Sequence, residues 1–225
     1  MSSLDISYQR LIRLEIEGDV LIVYPENGEP DRFSLIGVTS LNCYDNQLSS
    51  LPLLPRELKE LGCSNNQLTS LPLLPGALEK LYCYDNHLSS LPSLPESLKV
   101  LDCSDNHLSS LPSLPEGLKE LSCSNDQLTS LPSLPKGLER FDCSNNQLTS
   151  LPSLPEGLKE LSCSNNPLKY VPFFKKRPYY LVVPKHLETC LPKENYQECY
   201  RKQEINRFFF LFIFDELGLQ CDFLA

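Results

Sequence analysis

Residues 98–115 read LKVLDCSDNHLSSLPSLP, and the same phrase returns every 20 residues through the middle of the chain. Its cysteine recurs at Cys43, Cys63, Cys83, Cys103, Cys123, Cys143 and Cys163, each heading the pattern C-x-x-[ND]-x-L-x-x-[LV]-P. A period this strict marks a stacked array, in which every unit buries its apolar residues against its neighbours. Seven units are enough for such an array to be stable.

Within the unit, Leu101 and Cys103 alternate with Val100, Asp102 and Ser104. That is the period of a strand with one buried face, so successive strands are expected to pair in parallel. The L-P-x-L-P half excludes an α-helix, because its two prolines remove donors and clash with the preceding turn. Extended, polyproline-like backbone is expected there. A unit this short leaves no room for a helix on the return side, which predicts a thin outer wall and strong curvature.

Two polar or sulfur-bearing columns run along the array. Asn46, Asn66, Asn86, Asn106, Asn146 and Asn166 occupy one position, with Asp126 as the exception. An amide there bonds backbone groups where the chain turns away, which makes a structural ladder. The seven cysteines read as small core hydrophobes stacked under reducing conditions, neither bridged nor metal-bound.

The flanks are expected to cap the array. Residues 1–37 suggest a β-hairpin cap, with Ile12, Leu14 and Ile16 alternating with charges, Gly18-Asp19 as a turn, and Phe33 to Gly37 as a further strand joining the first rung. Residues 38–172 hold the seven repeats, and 173–225 a helical cap: a short helix from Lys185 to near Leu191, then a longer one over 195–217 starting at Asn195. The longer helix has almost no polar face from Ile205 to Phe214, which implies burial against the last rung, a second subunit or lipid. Capping is favoured, with a homodimer through 195–217 as the alternative.

Formal charge is -9, from 20 Lys and Arg against 29 Asp and Glu. That argues against a nucleic-acid binder and for a basic or neutral protein partner. The start, Met1 to Gly18, lacks the apolar core of a secretory signal, and the longest apolar run, Phe208 to Phe214, is far shorter than the ~18 residues of a membrane span. These features point to a reducing, intracellular location. No nucleotide loop, nucleophile elbow or H-E-x-x-H motif is present, so no catalytic residue, cofactor or metal site is assigned. His87 and His107 share one repeat position and are expected about 5 Å apart, but two ligands rarely make a metal site. Lys175, Lys176 and Arg177 are too few for a lipid or localisation signal, and Cys190, Cys199 and Cys221 lack a base near them in sequence except His186.

Residues flanking the buried Leu and Cys are expected to form the readable surface, in columns beginning at 60, 62 and 64. Tyr44, Tyr82 and Tyr84 deviate from a small polar background, with Gly62 and Ser64 between them, followed by Val100 and Asp102. Further along, Arg140 and Asp142 lie with Glu120 and Glu160 in a mixed charged zone. These seven residues, Tyr44, Tyr82, Tyr84, Val100, Asp102, Arg140 and Asp142, are the candidate partner-binding set.

The phrase L-P-x-L-P-x-x-L-x-x-L-x-C-x-x-N-x-L, over Leu41 to Pro172, resembles the bacterial effector subtype of leucine-rich repeat found in Yersinia outer protein M and the IpaH ubiquitin ligases. Similar repeats also occur in giant-virus proteins. The resemblance implies a leucine-rich repeat solenoid with a parallel sheet on its concave side, binding a host signalling protein in the host cytoplasm. The cysteine column also resembles the cysteine ladder of internalin J. IpaH-type ligases carry a large helical catalytic domain after the repeats, and the 53 residues after Pro172 cannot hold one. The C-x-D spelling of those ligases occurs at Cys43, Cys83 and Cys103, but there each cysteine is expected to point inward. The helical hairpin that precedes the repeats in the effectors is replaced here by the expected β-cap.

Overall fold

The computed structural model describes residues 2–172, 178 and 180–188. In chain order the strands are β1 (Ser2–Asp5), β2 (Leu11–Glu17), β3 (Val20–Pro25), β4 (Asp31–Ser34) and β5 (Val38–Asn42). One short strand per repeat follows: β6 (Glu60–Gly62), β7 (Lys80–Tyr82), β8 (Val100–Asp102), β9 (Glu120–Ser122), β10 (Arg140–Asp142) and β11 (Glu160–Ser162). β12 (Tyr180–Val182) and the single-turn helix α1 (Lys185–Glu188) complete the described elements.

Nine of these strands form one parallel sheet in the order β1-β5-β6-β7-β8-β9-β10-β11-β12. Register is locked by the repeat, so that Leu61, Leu81, Leu101, Leu121, Phe141 and Leu161 stand in line. Backbone pairing continues past each strand, as Cys63 N–H donates to the Tyr82 carbonyl and Asn65 N–H to that of Tyr84. Beyond the strand the backbone takes a left-handed residue, with φ between 51° and 56° at Asp45, Asn65, Asp85, Asp105, Asn125, Asn145 and Asn165. Asn and Asp tolerate this region best among residues with a side chain. That requirement accounts for the acidic residues two after Cys43, Cys83 and Cys103.

The next residue carries the ladder. Asn86 Nδ2 donates to the carbonyls of Cys63 and Cys83 at 3.0 and 3.2 Å, and its Oδ1 accepts from Leu68 N–H at 2.9 Å. Asn66, Asn106, Asn146 and Asn166 repeat the pattern. Each buried amide therefore ties two rungs together. The L-P-x-L-P wall contains neither helix nor strand, and its second proline opens a tight turn in which Leu58, Leu78, Leu98, Leu118, Leu138 and Leu158 donate back to the proline carbonyl. Outside that wall, charge pairs link rungs in two rows, Lys59–Glu79–Lys99 with Lys119–Glu139–Lys159, and Glu60–Lys80 with Glu120–Arg140–Glu160.

The amino-terminal region departs from the expected hairpin cap. β1 is a full partner of β5, with Leu4 opposite Leu41, and Ile6 is fully buried where the repeats place cysteine. Ser2 to Leu11 therefore form an extra rung, and Asn46 completes it by donating to the Ile6 carbonyl and accepting from Leu11 N–H. The expected β2–β3 hairpin is present, turning at Gly18 with φ 61°. β4 extends it to a three-stranded antiparallel sheet that stands where the proline wall would run. The further strand is Asp31–Ser34 rather than Phe33 to Gly37, and Leu35 to Gly37 turn the chain into β5. At the other end β12 adds a rung beyond Pro172, and α1 ends at Glu188 within the described residues. The expected helix over 195–217 and its dimer lie outside the described residues, as do Lys175, Lys176, Arg177, Cys190, Cys199 and Cys221.

Asp126 is the flaw in the ladder. Its Oδ1 accepts from Leu108 N–H at 2.8 Å, but it has no amide to donate, and its buried Oδ2 has no hydrogen-bond partner. Burial pushes its carboxyl up to about 7, because the neutral form keeps the one bond and avoids desolvating a charge. The unfolded chain ionises near the ordinary carboxylate value while the folded chain holds the proton, so stability falls as pH rises from about 4 to about 7 and is level above. Asp126→Asn is expected to stabilise the fold by roughly 2–4 kcal/mol at pH 8, a gain that shrinks toward pH 4. Asn86→Ala is expected to cost about 2–4 kcal/mol at every pH. Urea melts followed by circular dichroism across pH check both; a pH-independent gain in Asp126→Asn would contradict the account.

Candidate functional site

On each strand the central residue is buried and its two neighbours lie half-buried, or exposed at Lys80 and Arg140, on the open, concave face of the sheet. Two columns are therefore readable: Ser40, Glu60, Lys80, Val100, Glu120, Arg140 and Glu160, and beside them Asn42, Gly62, Tyr82, Asp102, Ser122, Asp142 and Ser162. The third expected column is different. Ser64, Ser104, Ser124 and Ser144 are buried, because the chain turns inward after the cysteine, while Ser164 at the end of the array and the larger Tyr44 and Tyr84 stay half-buried at that position.

Those two tyrosines sit two rungs apart yet lean together over Ser64, with ring centroids 6.1 Å apart. Asn65 Nδ2 donates to the Tyr44 hydroxyl at 3.2 Å. Burial, a hydrogen bond with Tyr44 and nearby charge push the Tyr84 hydroxyl up to about 12, so it stays neutral. Tyr8 packs edge-on against Tyr44 with centroids 5.3 Å apart and is 69 % exposed. Sequence reading missed Tyr8 because its rung lacks the cysteine and asparagine; the spacing of Leu4, Ile6 and Leu11, which matches Leu41, Cys43 and Leu48, is the signal that marks it. Tyr82 joins the patch from the neighbouring column, facing Gly62. A Cβ added at Gly62 would stand 2.8 Å from Asn42 Oδ1, so that side chain would have to shift to admit one. A hollow of about 430 Å³ results, walled by Tyr44, Tyr82 and Tyr84 and floored by Gly62 and Ser64.

The remaining candidates fall into a second hollow of about 240 Å³, where Val100, Asp102, Arg140 and Asp142 meet Tyr180. Arg140 is held there by its own chain, with Glu120 at 3.0 Å and Glu160 at 3.1 Å. Asp102 and Asp142 each accept from the amide and hydroxyl of the serine two residues on. The structure thus brings Tyr44, Tyr82 and Tyr84 together in one hollow, and Tyr82 also lines the second, three rungs before Arg140 and Asp142.

The seven cysteines are fully buried, free and in line. Burial pushes Cys43 and Cys163 up to about 12 and the five between them well above the ordinary thiol value. A thiol that stays protonated is no nucleophile. His87 and His107 stack with centroids 5.7 Å apart and planes within 4°. Among the described residues no group of three His, Cys, Asp or Glu is placed to hold a metal, and no helix is long and apolar enough to cross a membrane.

These features define a class. The family model for leucine-rich repeats in two copies matches residues 56–96 and 96–136, and the single-repeat model matches 137–158. The chain is similar to YopM from Yersinia enterocolitica, at 41 % identity over 65 % of this chain and 32 % of that one, with a TM-score of 0.61. It is also similar to the leucine-rich repeat domain of a Shigella effector (39 % identity, 61 % of this chain and 63 % of that one, TM-score 0.59). YopM of Yersinia pestis, a leucine-rich effector protein, gives 35 % identity over 67 % of this chain and 49 % of that one, at a TM-score of 0.58. The chain spans between about a third and just under two thirds of the length of these relatives. No curated protein sequence matches it. The chain is a leucine-rich repeat solenoid whose repeats are similar to those of these bacterial effectors, an architecture that supports a protein-interaction module.

Buried, protonated thiols are expected to resist alkylation. Brief exposure to a maleimide at pH 8 followed by peptide mapping should leave Cys43 through Cys163 unlabelled, and denaturant should expose all seven together. Native-state labelling of any one would place that sulfur outside the core.

Proposed function

We propose that this chain is a non-enzymatic binding module that receives a protein partner on its concave face, over the tyrosine-walled rungs, and that it acts as a host-directed effector in the host cytoplasm. The observation that carries the reading is the cluster of Tyr8, Tyr44 and Tyr84 over a small-residue floor. Rings that pack on each other lose little further freedom on binding, and tyrosine brings both apolar area and a hydroxyl, which is why such residues dominate interface energetics. The effector setting rests on the relatives, whose names describe them as effectors. Protonated ladder thiols suit a reducing compartment.

A photocrosslinking amino acid in place of Tyr82, on the concave face, is expected to capture a host-lysate protein that the same probe in place of Leu73, 77 % exposed on the proline wall, does not. With the probe kept at position 82, replacing Tyr44 and Tyr84 together by alanine is expected to leave melting nearly unchanged and to weaken that capture about tenfold or more. Capture from the Leu73 position alone would move the binding surface to the outer wall and overturn the proposal.

A further inference from the structure

We infer that the hollow between Tyr44, Tyr82 and Tyr84 is a subsite for an arginine side chain carried on an extended segment of the protein partner. This rests on the concave-face reading above and names the chemistry of what that face takes. The floor supplies the first indication. Ser64 is 1 % exposed, lines the hollow, and its hydroxyl has no hydrogen-bond partner. A buried hydroxyl left unmatched costs free energy, and a ligand donor entering the hollow would relieve it.

The walls and rim specify the donor. Three aromatic faces attract a cation within a few ångströms of the ring centre. Asp5 and Glu60 line the same hollow, and hydrogen bonds from the Ser7 hydroxyl and amide hold the Asp5 carboxyl below the usual carboxylate value. Along the whole face the carboxylates of Asp5, Glu60, Asp102, Glu120, Asp142 and Glu160 outnumber Lys80 and Arg140. Charge complementarity thus asks for a cation.

The molecule also shows both halves of the contact elsewhere. Arg13 lies over the Tyr24 ring with its guanidinium carbon 4.0 Å from the centroid. Arg140 lines the second hollow, held between Glu120 and Glu160. Flat aromatic walls, carboxylates on the rim and an unmatched hydroxyl suit a planar group with several donors better than a compact ammonium.

Fluorescence anisotropy with labelled nonapeptides of glycine and serine tests this on the full chain. One peptide carries two arginines, a second two lysines, and a third two citrullines, which keep the arginine shape without its charge. The arginine peptide is expected to bind saturably at physiological ionic strength, about tenfold tighter than the citrulline peptide and several-fold tighter than the lysine peptide. Tyr84→Ala and Asp5→Asn are each expected to weaken it roughly fivefold, Tyr84→Phe hardly at all, and Asp142→Asn, in the other hollow, not at all. Equal binding of lysine and arginine peptides, or equal loss in Asp142→Asn and Asp5→Asn, would show diffuse electrostatics and overturn the inference, as would the absence of saturable binding. The comparison of citrulline with arginine uses the unaltered chain, so misfolded variants cannot mimic success. Competition by the arginine peptide for the host protein captured at position 82 separates the two proposals. Capture without competition removes the arginine subsite and leaves the binding face standing, whereas peptide binding with capture only from position 73 removes the face and keeps the subsite.

Discussion

Each turn of this solenoid buries backbone carbonyls that need a donor, and the asparagine amide meets that need. The Cys63 carbonyl receives donors from Asn66 in its own rung and Asn86 in the next, while Leu48 N–H and Leu68 N–H are answered by the same side chains' oxygens. A buried polar group left without a partner is expensive, so the position tolerates little else. The amide reaches only if the chain has already turned through a left-handed residue, which selects Asn or Asp just before it. A sulfur small enough to sit beside the ladder fits the remaining space, and the period of the whole array follows from that one bonding requirement.

Because the interior is fixed rung by rung, variation is confined to the outer columns. Leucine at 53 and 73 on the proline wall gives way to serine at 93, 113, 133 and 153 with no change in the backbone. On the sheet face the same freedom places tyrosine in the early rungs and charged residues in the later ones. The charged residues are largely occupied with one another, in rows in which a basic side chain sits beside one or two acidic neighbours. Exposed pairs of this kind contribute little to stability, but they do offset positive charge on the sheet face.

The array was legible in the sequence because its constraint recurs with the same residues. Cys103 and Asn106 announce the strand, the turn and the inward face, and Pro112 and Pro115 exclude a helix. What escaped was the rung with the same geometry and different spelling. Ile6 stands for cysteine and Gln9 for asparagine, and since Asn46 of the next rung supplies the amide, Gln9 need not. Tyr180–Val182 escaped likewise, as a strand whose repeat has lost its phrase. The candidate surface was half legible. Strand alternation places Tyr82 and Asp102 correctly, but it extends one residue too far, and so it put Ser64 at the surface when the turn has already drawn it inside.

The proposed binding end lies where the array begins, and Tyr8 belongs to it. β1 pairs along the edge that β5 would otherwise leave open, and the turn after it brings a tyrosine that no repeat encodes. Tyr8 is held by a left-handed φ of 58°, the conformation that Asp45 and Asn65 adopt in the following rungs. A bulky residue is costly in that region, so the repeats use Asn or Asp and keep their rims low. The extra rung accepts the strain and raises an aromatic ring beside Tyr44. The later rungs, by contrast, spend Arg140 on Glu120 and Glu160, so recognition that depends on unspent aromatic faces and unmatched acceptors concentrates in the first four turns.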